Sequence, residues 1–260
     1  MPRVAVVAHR GFSGAYPENT ASAFAAAIRL GVEMIEFDVR RTLDDGLVCI
    51  HDPTVDRTSD GTGTVAEMPL AALRELDAGG WLAPQFAGER FVTLQEALDL
   101  MPAGVRLNVH VKAGADDRQR VVPAVAAELA RRGLLARAFI ASDQESLVLA
   151  RRAVPELVLC NLSVEPVADY VARSAAIGCR VLQPGNGVTT PELVAAAHRA
   201  GMEVNPFYAD DPGEMRRLIE CGVDGILTNW PDRLQRLQRA RVEVGPEAPA
   251  PGGSDGHPAG

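Results

Sequence analysis

The chain has 260 residues, 47% of them hydrophobic and only 5% aromatic, with a formal net charge of −8. This is enough apolar content for one large core, at the size of an α/β barrel domain. The acidic balance argues against nucleic acid or an anionic membrane surface as the main partner, while a locally basic pocket still suits a small anionic substrate.

Cys49, Cys160, Cys179 and Cys221 form no CxxC pair, and three of them sit inside apolar runs. They read as buried thiols of a reducing compartment, not as a disulfide frame or a zinc site, which points to the cytoplasm. The N-terminal MPRVAVVAHRG has no signal-peptide pattern, and no apolar run reaches membrane-spanning length, so stable membrane insertion is not expected. The oligomeric state is left open.

In chain order, Val4–Ala8 is a buried strand that ends at His9-Arg10-Gly11. An Ala-rich helix follows to about Leu30, with Asn19 or Thr20 as N-cap and Gly31 closing it. Met34–Val39 is the second strand, and Leu47–Ile50 a short strand-like piece that delivers His51-Asp52. From Asp52 to Arg90 the rhythm breaks into a Gly-rich excursion, with a helical piece near Leu70–Leu76. Its DGTG run follows no strand and opens no helix, so it carries little weight as a phosphate loop.

The rhythm resumes with a helix at Thr93–Leu100, a strand at Val105–Lys112 and a helix at Asp117–Arg132. Strands at Ala138–Ala141, Leu157–Cys160, Arg180–Gln183, Met202–Phe207 and Asp224–Thr228 alternate with further helices. Those helices are expected at Gln144–Ala153, Val164–Ala176, Pro191–Ala200, Pro212–Glu220 and Pro231–Arg239. The last 20 residues, 241–260, are rich in Pro, Gly and small residues and are expected to be disordered.

Such alternation in this length predicts a parallel (β/α)8 barrel with a small subdomain inserted at about 52–90, after the second strand, all within residues 1–240. Continuous apolar strands fit burial on both faces. A doubly wound open sheet is the alternative, but no GxGxxG turn follows a strand.

The chemistry centres on IEFDV. Side chains alternate along a strand, so Glu36 and Asp38 share one face, opposite Ile35, Phe37 and Val39. Two adjacent carboxylates buried together need a cation, which suggests a divalent metal. In LNVHVK, Asn108, His110 and Lys112 share one face. In a barrel these positions meet His9, Arg10 and His51 at the C-terminal strand ends. A lone histidine there is more often a hydrogen-bonded structural residue, and a lone cation a salt bridge. The combination favours phosphoryl transfer or phosphodiester hydrolysis. Arg10 and Lys112 would neutralise phosphate oxygens, while His9 and His51 accept and donate the protons.

HRG at 9–11, PENT at 17–20, IEFDV at 35–39, HDPTVDRTSDGTG at 51–63 and DGILTNWPD at 224–232 together resemble the glycerophosphodiester phosphodiesterase family. The resemblance runs from about Val4 to Leu237. It implies a TIM barrel with a small insert after the HD motif and metal-dependent hydrolysis of glycerophosphodiesters to an alcohol and sn-glycerol 3-phosphate. By this resemblance His9 and His51 are the acid–base pair, Arg10 and Lys112 hold phosphate, and Glu36 and Asp38 bind metal. The family often carries a third ligand glutamate in an N-x-E-x-K run; here His110 stands in its place. Mg²⁺ or Ca²⁺ is the family expectation, whereas the imidazole admits Mn²⁺ or another transition ion. Another common pattern has Asp where this chain has Asn229. Phe207, Tyr208 and Trp230 are either an apolar pocket wall or packing.

Two alternatives stand beside this reading. One is hydrolysis of lysophospholipids, with Trp81, Leu82, Pro84 and Phe86 of the insert as the apolar surface. The other is a non-catalytic barrel that binds a phosphate ligand, which would need no paired histidines.

Overall fold

The computed structural model describes residues 3–163 and 169–243. The strands are β1 (Ala5–His9), β2 (Met34–Arg41), β3 (Leu47–Cys49), β4 (Arg106–Val111), β5 (Ala138–Ser142), β6 (Val158–Ser163), β7 (Val181–Pro184), β8 (Glu203–Val204) and β9 (Gly225–Thr228). They form one sheet ordered β8-β7-β6-β5-β4-β2-β1-β9, parallel along that path, with β3 antiparallel on β2. Backbone N–H groups of Asp224, Leu227 and Ala209 reach the carbonyls of Val204, Pro206 and Leu227 at 3.0–3.1 Å and close β9 back toward β8. The expected (β/α)8 barrel with its surrounding helices is therefore what the chain forms.

The helices are α1 (Ala21–Leu30), α2 (Leu70–Leu73), α3 (Leu94–Leu100), α4 (Arg118–Arg131), α5 (Gln144–Ala153), α6 (Tyr170–Ile177), α7 (Pro191–Arg199), α8 (Pro212–Cys221) and α9 (Pro231–Glu243). Local signals set their ends. Thr20, not Asn19, caps α1 by accepting from Ala23 N, and Gly31 at φ 77° closes it in the left-handed region. Thr93 and Glu96 form a reciprocal capping box on α3.

Strand seven of the prediction shrinks to two residues in β8, because Pro206 has no N–H for the ladder. The helical piece near Leu70–Leu76 is a single turn, and α9 runs to Glu243, past its expected end near Arg239, so residues 241–243 of the tail expected to be disordered are helical instead. The first residues of the helix expected at Val164–Ala176, and the predicted disordered tail from residue 244 on, lie outside the described residues.

Alternation along the strands sorts the core into layers. Outward residues such as Ile35, Phe37, Val39, Leu107 and Val109 pack under the helices, with Phe24 of α1 edge-on to Phe37 at 5.7 Å. Inward, Val7, Met34, Phe139, Cys160, Val181 and Leu227 form an apolar plug. The next inward positions toward the C-terminal strand ends are His9, Glu36 and Asn108, and then Asp38 and His110. The polar site is built on top of the plug.

Beyond β3 a separate small cluster of Val48, Ile50, Val55, Val65, Leu73, Ala78 and Phe91 holds the excursion together. Among the described residues, no helix is long and apolar enough to cross a membrane.

Candidate active site

Glu36, Asp38 and His110 offer one ligand atom each, all within 4.8 Å of one another. The parallel register of β2 and β4 pairs Asp38 with His110 and Glu36 with Asn108. His110 Nδ1 lies 3.1 Å from Asp38 Oδ1 and 3.8 Å from Glu36 Oε1. Both carboxylates are buried, and burial, followed by the neighbouring Asp38, pushes the Glu36 carboxyl up to about 8. Burial also acts to raise Asp38, but His110, Lys112 and Arg10 outweigh it and hold it well below the usual carboxylate range. Burial lowers His110 and favours neutral imidazole, the form that ligates metals.

Arg10 adopts φ 56°, a left-handed conformation that a non-glycine residue holds at a cost of about 1–3 kcal/mol. This turn aims its N–H at Glu36 Oε2, 3.0 Å away. Gly11 follows because a Cβ there would lie 2.7 Å from the Ala23 carbonyl carbon. The Arg10 guanidinium donates to Glu18 Oε1 at 2.8 Å, and its Nε lies 3.3 Å from Asp38 Oδ2. Lys112 Nζ lies 3.3 Å from Asp38 Oδ1. Both expected phosphate-binding cations thus stand against a carboxylate here.

Asn19 also has positive φ, 58°, and is buried. Its Nδ2 donates to Asp38 Oδ2 at 3.0 Å, while its Oδ1 accepts the Asp38 backbone N–H at 3.1 Å. It is a clamp on Asp38, and not the helix cap the sequence allowed.

His51 reaches the site on the β2–β3 hairpin, where Arg40 Nε holds its carbonyl oxygen at 2.8 Å. Its Nδ1 lies 2.7 Å from Asp52 Oδ1. Arg57 bridges Asp52 Oδ2 at 2.6 Å and both Glu18 oxygens at 2.8 Å. The Arg57 hydrogen bond holds the Asp52 carboxyl at about 2. One chain of charges therefore runs from His51 through Asp52, Arg57 and Glu18 to Arg10.

His9 is buried, with Nε2 3.9 Å from Glu36 Oε2 and its ring stacked on Tyr208 at 5.1 Å. Burial, then Arg10, lowers its pKa to about 4. Its Nδ1 lies 2.7 Å from Asn229 Oδ1, which brings Asn229 into direct contact with the expected acid–base residue.

Two cavities meet at His9 and Arg10. One of about 80 Å³ is lined by His9, Arg10, Glu36, Asp38, His51, His110 and Lys112, with Leu162, Gln183, Phe207 and Tyr208 as its far wall. All seven residues expected to carry chemistry therefore share one cavity. A second of about 240 Å³ adds Ser13, Gly14, Glu18, Asn229 and Trp230. Phe207 and Trp230 thus line different cavities. Trp230 is packed under Arg233, whose guanidinium carbon is 4.0 Å from the ring, and against Gly14, where a Cβ would lie 2.5 Å from ring atoms.

Sequence reasoning did not find Arg57, Asp210, which accepts Asn229 Nδ2–H at 2.7 Å, the roles of Asn19 and Asp52 or the stacking of Tyr208 on His9. PENT and HD contain Asn19 and Asp52; for Arg57 and Asp210 no spacing signals the contact.

The fold and this site define a barrel enzyme with paired carboxylates and basic groups at the C-terminal strand ends. Residues 9–233 match the model of the glycerophosphoryl diester phosphodiesterase family. A glycerophosphodiester phosphodiesterase from Caldanaerobacter subterraneus subsp. tengcongensis is 34% identical over 236 residues, 90% of this chain and 97% of that one. A solved Oleispira antarctica phosphodiesterase, in complex with its product sn-glycerol-3-phosphate, superposes with a TM-score of 0.85 at 27% identity, covering 92% and 97% of the two chains. A glycerophosphodiester phosphodiesterase structure from Agrobacterium tumefaciens gives 0.79 at 27% identity, covering 90% and 99%. The chain belongs to the glycerophosphoryl diester phosphodiesterase family and is a hydrolase of phosphoric diesters.

Proposed function

We propose that this chain hydrolyses glycerophosphodiesters to an alcohol and sn-glycerol 3-phosphate, with a divalent ion held by Glu36, Asp38 and His110. The observation that carries this reading is the single cavity shared by those three ligands with His9, Arg10, His51 and Lys112. The product seen in the Oleispira antarctica relative supports the choice of ester.

The residues fit a cation. Asp38 Oδ1 is buried and makes no well-aligned hydrogen bond, although His110 and Lys112 stand beside it, and burial and the neighbouring Asp38 force Glu36 toward its neutral form. Arg10 and Lys112 already offset part of the cost of burying this pair, and a divalent ion would offset the rest and free both cations for phosphate. When bound, the ion supplies Lewis-acid polarisation of a phosphoryl oxygen. Imidazole beside two carboxylates admits Mn²⁺ or another transition ion beside the Mg²⁺ or Ca²⁺ that two carboxylates alone would suit.

His9, neutral by burial, takes the proton from the attacking oxygen. His51, whose pKa burial lowers while Asp38 and the Asp52 carboxylate oppose that shift, returns one to the leaving alcohol. Arg10 and Lys112 neutralise the phosphate; Arg10 Nε is buried without an acceptor in hydrogen-bonding geometry. Phe207 forms part of the wall beside them.

Residues 1–240 make up the phosphodiesterase domain, and the insert at about 52–90 supplies Arg57 to its rim. The buried free thiols Cys49, Cys160 and Cys179 fit the cytoplasm.

The test offers purified protein, with Mn²⁺ or Mg²⁺, glycerophosphocholine and lysophosphatidylcholine. Glycerol 3-phosphate from the first is the expected result. Lysophosphatidate from the second would instead give a role to Trp81 and Leu82, exposed on the insert at 38% and 37%. Neither product with any divalent ion would reject hydrolysis.

A further inference from the structure

Asp210 lies between β8 and α8, away from the ligand cluster, and organises the end of β9. Its Oδ1 accepts the Asn229 backbone N–H at 2.8 Å and the Thr228 hydroxyl at 3.0 Å, and its Oδ2 accepts Asn229 Nδ2–H at 2.7 Å. An ionised carboxylate can only accept, so the nitrogen of the Asn229 amide must face Asp210. The amide oxygen then points the other way, toward His9 Nδ1 at 2.7 Å. An oxygen acceptor at that distance requires the proton to sit on Nδ1. Ser13 Oγ, 2.8 Å from the same oxygen, can donate or accept and does not fix the amide by itself. Neutral His9 is left with a bare Nε2, the nitrogen that lies 3.9 Å from Glu36 Oε2.

We propose that Asp210 is a positioning residue for His9: through the Asn229 amide it selects the Nδ1–H tautomer and makes Nε2 the proton-accepting atom. This rests on the assignment of His9 to proton transfer. The relay carries no proton itself. It sets which of two nitrogens holds one, as a hydrogen bond to one ring nitrogen generally does for the other.

The chemistry gives an inverting substitution. In Asp210→Asn, the oxygen of the new amide keeps the Asn229 backbone N–H and the Thr228 hydroxyl, so the local turn survives. Its NH2 group meets Asn229 Nδ2, and two donors cannot pair. The Asn229 amide turns over and presents its own NH2 to His9 Nδ1, which must then accept, moving the ring proton to Nε2. In the double variant Asp210→Asn with Asn229→Asp, the amide at position 210 donates to the carboxylate at 229. The other oxygen of that carboxylate accepts Nδ1–H again.

The experiment records ¹⁵N NMR of imidazole-labelled protein, which distinguishes the two tautomers, with kcat and KM for glycerophosphocholine and the melting temperature. Wild type is expected to show Nδ1–H. Asp210→Asn is expected to show Nε2–H, with kcat lower by about 10- to 100-fold and KM within about twofold. The double variant restores Nδ1–H and at least tenfold of the lost kcat. Retention of Nδ1–H in Asp210→Asn, wild-type kcat in that variant, or failure of the double variant to restore the tautomer each overturns the proposal. Wild-type turnover by His9→Ala would remove the proton-transfer role instead, and the tautomer result separates that outcome from a failure of the relay.

Discussion

His110 Nδ1 stands 3.1 Å from Asp38 Oδ1 because β2 and β4 run in parallel register with those two residues level. A one-residue slip would turn His110 out of the barrel, and a two-residue slip would set Asn108 or Lys112 beside Asp38. Strand pairing therefore decides which side chain stands beside the two carboxylates.

His110→Glu is expected to shift metal preference toward Mg²⁺ and Ca²⁺, since it replaces a nitrogen with hard oxygen and adds a negative charge. Calorimetric titration with Mn²⁺ and Mg²⁺ measures this. An unchanged ratio of affinities would mean that His110 is not a ligand.

His9→Ala and His51→Ala should each lower kcat by about two to four orders of magnitude. The melting temperature should move little for His51, which is part-exposed and anchored by its backbone to Arg40. Near-wild-type kcat in either variant rejects its place in proton transfer.

Asn19→Ala should destabilise the fold by about 2–4 kcal/mol. It removes two buried hydrogen bonds to Asp38 and leaves a Cβ-bearing residue at φ 58° with no side chain to favour it. Asn19→Gly relieves only the backbone part, so it should lie between Ala and wild type in urea unfolding. Equal stability of all three would dissolve the clamp.

Stability without metal should depend on pH in a defined sense. The Glu36 carboxyl rises from its ordinary 4.5 to about 8, so the folded protein holds a proton there that the unfolded chain has released. This contribution is present below pH 4.5 and is lost as pH rises to 8. His9 falls from 6.5 to about 4, so it favours the fold above pH 6.5 and loses that effect as pH drops to 4. The two oppose each other at acidic pH, and between 6.5 and 8 only the Glu36 trend acts. Melting temperatures in a chelator should fall across that window, and saturating Mn²⁺ should flatten the slope. A flat curve in chelator would refute the carboxyl's raised pKa.

Much of the site was legible in the sequence. The alternation of IEFDV and LNVHVK sets Glu36, Asp38, Asn108 and His110 on inward faces, and all of these line or underlie the cavity. Asn19 was misread because an Asn before a helix caps it as often as it does anything else, and Thr20 beside it takes the cap. The sequence left Trp230 as pocket wall or packing; it lines the second cavity while Gly14 and Arg233 pack against its ring, contacts that an aromatic at a strand end does not signal.

The sequence by itself determined the barrel, its strand order and which side chains face inward, because these follow from local periodicity and from the obligatory right-handed crossover of each β-helix-β unit. Tertiary structure alone decided the axial level of each strand and the contacts that follow from it. Asp38 meets His110 by register, Arg57 of the insert folds back 39 residues to Glu18, and Asp210 reaches Asn229 across 19. A period of two encodes a face but not a height, and a hydrogen bond between distant residues leaves no spacing to read. The alternation of β2 put two carboxylates on one face; the fold decided that His110, Arg10 and Lys112 surround them.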